Sequence, residues 1–348
     1  MKTTTTAQQL GVSQRALDLC LDADVIDLHV DTFIPVRLWG YDVLQHHGRG
    51  TLNGYYFGHV DLPRMDEQGV TGAMWSLTTN PFRSERKRFS VLQKNRARYE
   101  AMVAASDGRM VITSTPDAYD RARAAGVHAV LPALQGGNAL AGAPDLDAWL
   151  ADRWLTRVTI VHLTDSVYGA TSSPATDRKN PHLSARGKEI VRALDRARIF
   201  VDLAHIAPQS FWDAVEVHDP ALPLIATHTG VSGVVPHWRN LDDAQIEVIA
   251  KSGGVIGVIY AANFMSRPGG PRDCEMVAEH LEHIVKVAGE DGPAIGSDYD
   301  GAVVPPKDMR DGHGHVKLVD ALLRRGWQEP AIRKVLGGNF LRSWRKLR

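Results

Sequence analysis

The chain has 348 residues, of which 44% are hydrophobic and 23% charged. This is a globular composition with a sizeable core, too long for a peptide-like scaffold and suited to one large barrel or two ordinary domains. Lys+Arg and Asp+Glu each number 40, so the formal charge is zero and no global field draws the chain to nucleic acid or an anionic membrane. Two cysteines, Cys20 and Cys274, exclude a disulfide scaffold and a thiolate metal cluster.

In chain order, residues 1–10 are polar and Thr-rich and lack the apolar core of a signal peptide. No run of about 18 apolar residues marks a membrane span. A cytoplasmic protein with no membrane partner is therefore expected. Residues 1–23 read as an N-terminal helical extension, and residues 24–348 as one catalytic unit. From there on, eight short apolar runs rich in Val and Ile read as buried strands: 24–31, 70–78, 128–137, 155–163, 199–206, 222–229, 253–260 and 293–300. Amphipathic stretches at 84–106, 184–197, 208–217, 242–251 and 273–288 lie between them, with Pro208 at a first-turn position where its missing N–H is not needed. Strands alternating with helices in this way predict an α/β fold, a (β/α)8 barrel of the TIM type.

Polar residues sit at the ends of these runs. The first, VIDLHVD, ends in His29 and Asp31; the third ends in Gln135; the fourth ends near Asp165. The fifth ends in His205, the sixth in His228 and the eighth in Asp298. In a barrel of this type the C-terminal strand ends form one mouth, where active sites lie, so these residues are expected to converge. His29 and Asp31 are two apart and share a strand face; they suit one divalent ion, and His205 and His228 hold a second or complete the first. Imidazole and carboxylate donors suit zinc and its first-row neighbours. A metal brings the pKa of water toward neutrality, and Asp298 is placed to move the proton to a leaving amine. A second His-x-Asp pair, His59 and Asp61, reads as loop. His313 and His315 read as solvated or lid residues. His162, beside Asp165, reads as pointing into the barrel.

With these residues in view, the chain resembles the membrane dipeptidase family, also called renal dipeptidases, which are binuclear zinc enzymes built on an amidohydrolase-type barrel. The resemblance runs from about Val25 to Trp344. It rests on DLHVDT, VDLPRMDEQGVTGAMWSL, VDLAHI, ATHTGVSG, WRNLDD, IGSDYDG and the tail LLRRGWQEPAIRKVLGGNFLRSW. It implies that His29 and Asp31 are ligands of a first zinc and His205 and His228 of a second. It also implies that Arg239 holds the substrate carboxylate, that Asp298 transfers the proton, that Tyr260 lines the substrate pocket, and that the chain forms a homodimer. Two departures stand out. Gln135 replaces the family's bridging glutamate in its Glu-Gly-Gly context, and Asp165 replaces a substrate-contacting histidine. A neutral amide offers one good oxygen donor and no charge.

The expected function is metal-dependent hydrolysis of the amide bond of a dipeptide or dipeptide-like substrate with a free carboxylate. The two departures leave open three alternatives. Asp165 supplies the missing carboxylate near the metals, or a single ion sits in a diverged amidohydrolase acting on another small amide, or the chain is an inactive binding homologue.

Overall fold

The computed structural model describes residues 5–80, 82–174 and 180–348, so the first four residues of the N-terminal extension lie outside it. The described residues form nine parallel strands, eight of them within the apolar runs: β1 (Ile26–Val30), β2 (Gly72–Thr78), β3 (Met110–Ile112), β4 (His128–Gln135), β5 (Arg157–Thr159), β6 (Phe200–Asp202), β7 (Ile225–Thr229), β8 (Val255–Val258) and β9 (Pro293–Ile295). Their order is β1-β2-β4-β5-β6-β7-β8-β9, an eight-strand barrel with helices outside it. The seam between β1 and the segment after β9 is closed by a bridge between Val30 and Tyr299, by the Asp31 N–H donating to Tyr299 O at 2.8 Å, and by the Asp298 N–H donating to His29 O at 3.0 Å.

The sequence showed eight of these strands and not β3. That strand has three residues, and its central Val111 is 40% exposed, so it carries no buried-run signal. It pairs with the first half of one β4 edge, at His128, Ala129 and Val130. β5 takes the same edge further on, at Ala133–Gln135, and stays in the barrel while β3 drops out.

The expected helices form within two residues of their anticipated ends, and their starts have local causes. Ser184 accepts from the Gly187 N–H ahead of helix Ala185–Ala197. Asp242 and Gln245 make a reciprocal capping box at helix Asp243–Lys251. Pro208 opens helix Pro208–Val217. The first of these helices turns Ile190, Val191 and Leu194 onto the barrel at helical spacing. In the extension, helix Gln14–Asp22 is tied to helix Gly314–Arg324 by the Ser13 N–H donating to Asp320 Oδ1 at 2.9 Å. The barrel's lower end is packed by Ile26, Leu131, Phe200 and Ile225 against Phe340 and Trp344 of the C-terminal helix Asn339–Leu347. Strand C-termini are therefore the open end.

Candidate active site

Four strands deliver a largely buried polar cluster to that open end. His29 lies on β1 with Asp31 just beyond it, and His228 lies on β7. Asp298 comes three residues after β9 and His205 three residues after β6. His29 Nε2 stands 3.5 Å from Asp31 Oδ1 and 3.4 Å from Asp298 Oδ1. The His29 and His228 rings have centroids 3.7 Å apart. His205 Nε2 and His228 Nε2 face each other at 2.8 Å. His29, His228 and Asp298 offer donor atoms all within 4.8 Å of one another.

Two of these residues adopt backbone that L side chains rarely hold. His205 has φ +65° and Asp298 φ +59°. Such conformations cost about 1–3 kcal/mol each and persist only where surrounding contacts impose them. Here they do. His205 O accepts from the Ser172 N–H (2.7 Å) and Thr171 Oγ1 (2.9 Å). Asp298 is pinned through its N–H to β1 and through its carbonyl to the Gly301 N–H. The strain turns both side chains inward at the point where the chain leaves the barrel.

Gln135, at the end of β4, stands between the two halves of the cluster. With its amide nitrogen toward Asp31 it donates to both carboxylate oxygens at 3.0 and 3.1 Å, and its oxygen accepts from His162 Nε2 at 3.1 Å. The same end of the amide is 3.4 Å from His205 Nε2. His162 packs edge-on to His205 with centroids 4.7 Å apart. The segment after β5 thus brings His162 to the cluster. Asp165, which one of the three open alternatives has supplying a carboxylate near the metals, is turned into its own loop, where its Oδ1 accepts from the Thr171 N–H at 2.9 Å. β5 ends at Thr159, earlier than the apolar run suggests, and the chain after it moves His162 rather than Asp165 over the mouth.

Beneath the cluster lies a charged residue that the sequence reading passed over. Arg157 is fully buried on β5 and spans the barrel interior. Its Nη2 is 2.5 Å from His29 Nδ1 and donates to Ser76 Oγ at 2.6 Å, while Nη1 lies 3.2 Å from Asp202 Oδ2 and also meets Thr159 Oγ1. Asp202 accepts in addition from Thr159 Oγ1 and Thr227 Oγ1, and Thr227 Oγ1 lies 2.9 Å from His228 Nδ1. An arginine inside an otherwise apolar run was the available signal. Asp27 works similarly at the seam: its Oδ1 accepts from the N–H groups of His29 and Ser297, and its Oδ2 is 3.0 Å from His315 Nε2.

Arg239 is 4% exposed and donates from Nη2 to His228 O at 2.7 Å, while its Nε has no hydrogen-bond partner among the described residues. Tyr260 is fully buried, and its hydroxyl has no hydrogen-bond partner among the described residues. Its N–H bonds Ser297 O two residues past β8, and its ring packs edge-on to Tyr299 (5.5 Å) and beside His315 (5.6 Å), in the layer beneath helix Gly314–Arg324. His313 and His315 are likewise buried and paired, with Glu67 at 2.7 Å and with Asp27, rather than solvated. His59 and Asp61 are structural, as read. His59 pairs with Asp300 at 3.1 Å, and Asp61 caps helix Leu62–Glu67 and binds Arg64.

Burial holds His29, His205 and His228 well below the ordinary imidazole range, with Arg157 adding to the effect at His29 and Arg239 at His205. His162 is lowered to about 4 by the same cause. Neutral imidazole is the form that binds a metal. Burial raises Asp31 to about 6, and it raises Asp298 well above the carboxylate range with help from the Asp31 charge. Two buried carboxylates whose charges oppose each other, facing three neutral imidazoles, form a donor set whose unfavourable charge a divalent cation offsets. These residues therefore fit a metal.

A barrel with such a cluster at its open end is the arrangement of a metal-dependent hydrolase. The sequence pattern of the membrane dipeptidase family (peptidase family M19) matches residues 13–348, and the chain belongs to that family. A curated relative from Klebsiella pneumoniae, an uncharacterized protein in the pqqA 5′ region, is 28% identical over 259 residues, covering 72% of this chain and 94% of that protein. Among solved structures, the dipeptidase AC, an M19 metallopeptidase, is 27% identical with a TM-score of 0.79, covering 92% of this chain and 99% of that one. A metallopeptidase from Rhodobacter sphaeroides, liganded with a phosphinate mimic of the dipeptide L-Ala-D-Ala, shares the fold at 24% identity and a TM-score of 0.80, covering 94% of this chain and 99% of that one. Among the described residues no helix is long and apolar enough to cross a membrane.

Proposed function

We propose that the chain hydrolyses the amide bond of a dipeptide or dipeptide-like substrate that carries a free carboxylate. The observation that carries this reading is the convergence of His29, Asp31, His205, His228 and Asp298 in one buried cluster at the barrel mouth. Those residues would hold a divalent cation, zinc by the preference of the donor set. Bound there, the ion supplies Lewis acidity, polarising a carbonyl and making water more acidic. Asp298, protonation-prone because it is buried beside Asp31, takes the proton from water and returns it to the departing amine. Arg239 presents a guanidinium with a free Nε to the substrate carboxylate. His162 is the cluster's remaining neutral imidazole; its Nε2 donates to Gln135, and it would have to exchange that bond to serve as a donor to the substrate's carbonyl oxygen.

A second reading, a specialised amide bearing a bulky apolar group, is favoured by one observation. The segment that follows Asp31 forms an apolar cavity of about 540 Å³ lined by Pro35, Trp39, Tyr41, Leu52, Tyr56 and Phe57. A cytoplasmic location is part of the same proposal. The homodimer implied by the resemblance and the division at residues 23 and 24 complete the proposal; mass in solution tests the first and a truncation the second.

The test is hydrolysis of a dipeptide panel, from Ala-Ala to aromatic pairs and N-acyl amino acids, by protein supplied with Zn2+ or Mn2+. Asp298→Asn is expected to lower kcat by about 10²–10⁴-fold. Unchanged turnover in that variant removes Asp298 from the mechanism. No turnover of any amide removes the hydrolase reading for this chain.

A further inference from the structure

We propose that the site holds one divalent cation per chain, over His29, His228 and Asp298, and that Gln135 sets this number. The proposal rests on the metal-dependent hydrolase reading above and deepens it.

The argument is one of position and charge. Any group linking two ions in this cluster has to lie between the His29/Asp31 half and the His205/His228 half, and Gln135 occupies that place. It contacts Asp31 on one side at 3.0–3.1 Å and stands 3.4 Å from His205 Nε2 on the other. Its amide is already committed there. The nitrogen donates to both oxygens of Asp31 and the oxygen accepts from His162. An amide nitrogen has no lone pair for a metal, so the side chain cannot bind one ion at each end.

The charges agree. Two carboxylates, Asp31 and Asp298, face the cluster, and together they neutralise one doubly charged ion. The other buried carboxylates nearby are already engaged: Asp202 by Arg157, Thr159 and Thr227, Asp27 by Ser297 and His315, and Asp300 by Thr32 and His59. A second ion would therefore enter with no further anion to meet it. Two ions would bring four positive charges into a cluster that already holds two buried guanidinium groups, Arg157 with its Nη2 at 2.5 Å from His29 Nδ1 and Arg239 with its Nη2 on His228 O. Like charges at this range in a poorly solvated site repel strongly. Gln135→Glu would reverse both features at once, placing an anion with two donor oxygens between the halves.

The experiment counts metal. Metal-free protein, native and Gln135→Glu, is titrated with Co2+ and with Zn2+, bound metal is measured by elemental analysis, and Co2+ ligand-field absorption is followed. Mn2+-loaded samples are compared by electron paramagnetic resonance, in which two adjacent ions couple and a lone ion does not. The native chain is expected to saturate at one ion with an uncoupled Mn2+ spectrum. Gln135→Glu is expected to take two, with the second bound at least about 100-fold more tightly than in the native chain. Gln135→Ala, which lacks the amide and adds no buried charge, is expected to keep one ion and covers the case in which the glutamate variant does not fold. Two tightly bound ions in the native chain overturn the proposal while leaving the hydrolase reading intact. One ion in both the native chain and a folded Gln135→Glu removes Gln135 as the determinant and overturns it equally. No ion in any sample overturns the metal-dependent reading itself.

Discussion

Gly301 offers a way to move the proposed proton carrier without touching it. A Cβ added at this position would stand 2.2 Å from Asp298 Oδ1 and 2.8 Å from its Cγ, where ordinary contact begins at 3.4 Å. The Asp298 carboxylate must therefore retreat by about 1.2 Å, the difference between those distances. Its backbone cannot follow, because its N–H is bonded to β1 and its φ of +59° is already imposed. A misplacement of about 1 Å in a catalytic group costs roughly 100-fold in rate. The φ of Gly301 lies outside the left-handed region, so alanine is allowed there, and its smaller unfolded ensemble adds about 0.4–1 kcal/mol. Gly301→Ala should thus lose about 100-fold in kcat against a dipeptide while its thermal midpoint stays near that of the native protein. Bound metal, measured alongside, separates lost proton transfer from lost ion. Native kcat in this variant, or a loss of activity matched by a loss of folding, would refute the reasoning.

Three other perturbations follow from the geometry. Arg157→Met removes a fully buried guanidinium and strands the Asp202 charge, so urea denaturation should show a loss of about 3–5 kcal/mol, with Arg157→Lys recovering part of it. Arg239→Lys keeps the charge but loses the planar fork, and should raise KM for carboxylate-bearing dipeptides by about 10–100-fold, with little change for an amidated dipeptide. His128 is buried, accepts from Trp75 Nε1 at 3.2 Å and has its pKa pushed down to about 4 by burial. Since the unfolded chain takes up that proton near pH 6.5 and the folded one does not, its contribution is complete above about pH 6.5 and is lost as pH falls toward 4. Between pH 7 and pH 5 this amounts to about 2 kcal/mol. Comparing native protein with His128→Gln by denaturant titration at the two pH values checks it, and the variant should have the shallower pH slope.

The barrel was legible because each of its strands is a short apolar run ending in a turn, and most of the site was legible because the same runs end in His or Asp. That pattern has a physical cause: a histidine or aspartate in a strand buried on both faces needs a partner, and the strand ends that open to ligand are where a ligand can be that partner. The misreadings share another cause. Whether a residue past the strand end faces the mouth depends on where pairing stops, and β5 stops at Thr159. That places His162 at Gln135 and leaves Asp165 in its loop, a distinction of three positions that periodicity does not resolve. Tyr260 also lies past a strand end, two residues beyond β8. Arg157 and Asp27 were hidden for the opposite reason. A charge inside an apolar run is visible in the sequence, but its partners, at His29 and Asp202 in one case and at Ser297 and His315 in the other, come from strands far away in the chain.

The seam has a mechanical meaning beyond catalysis. Between β1 and the segment after β9 the barrel is joined by the single Val30–Tyr299 bridge and a few flanking bonds. His29 and Asp298 stand on opposite sides of that join, 269 positions apart in the chain. Anything that grips both is a clasp across that join. Such a ligand binds only the closed form, so it stabilises closure in proportion to the logarithm of its concentration over its dissociation constant. Loss of the ligand would first loosen the two edge strands, leaving the far wall of β4 to β7 intact. Hydrogen exchange at the amides of Asp31 and Asp298 is where that breathing would register.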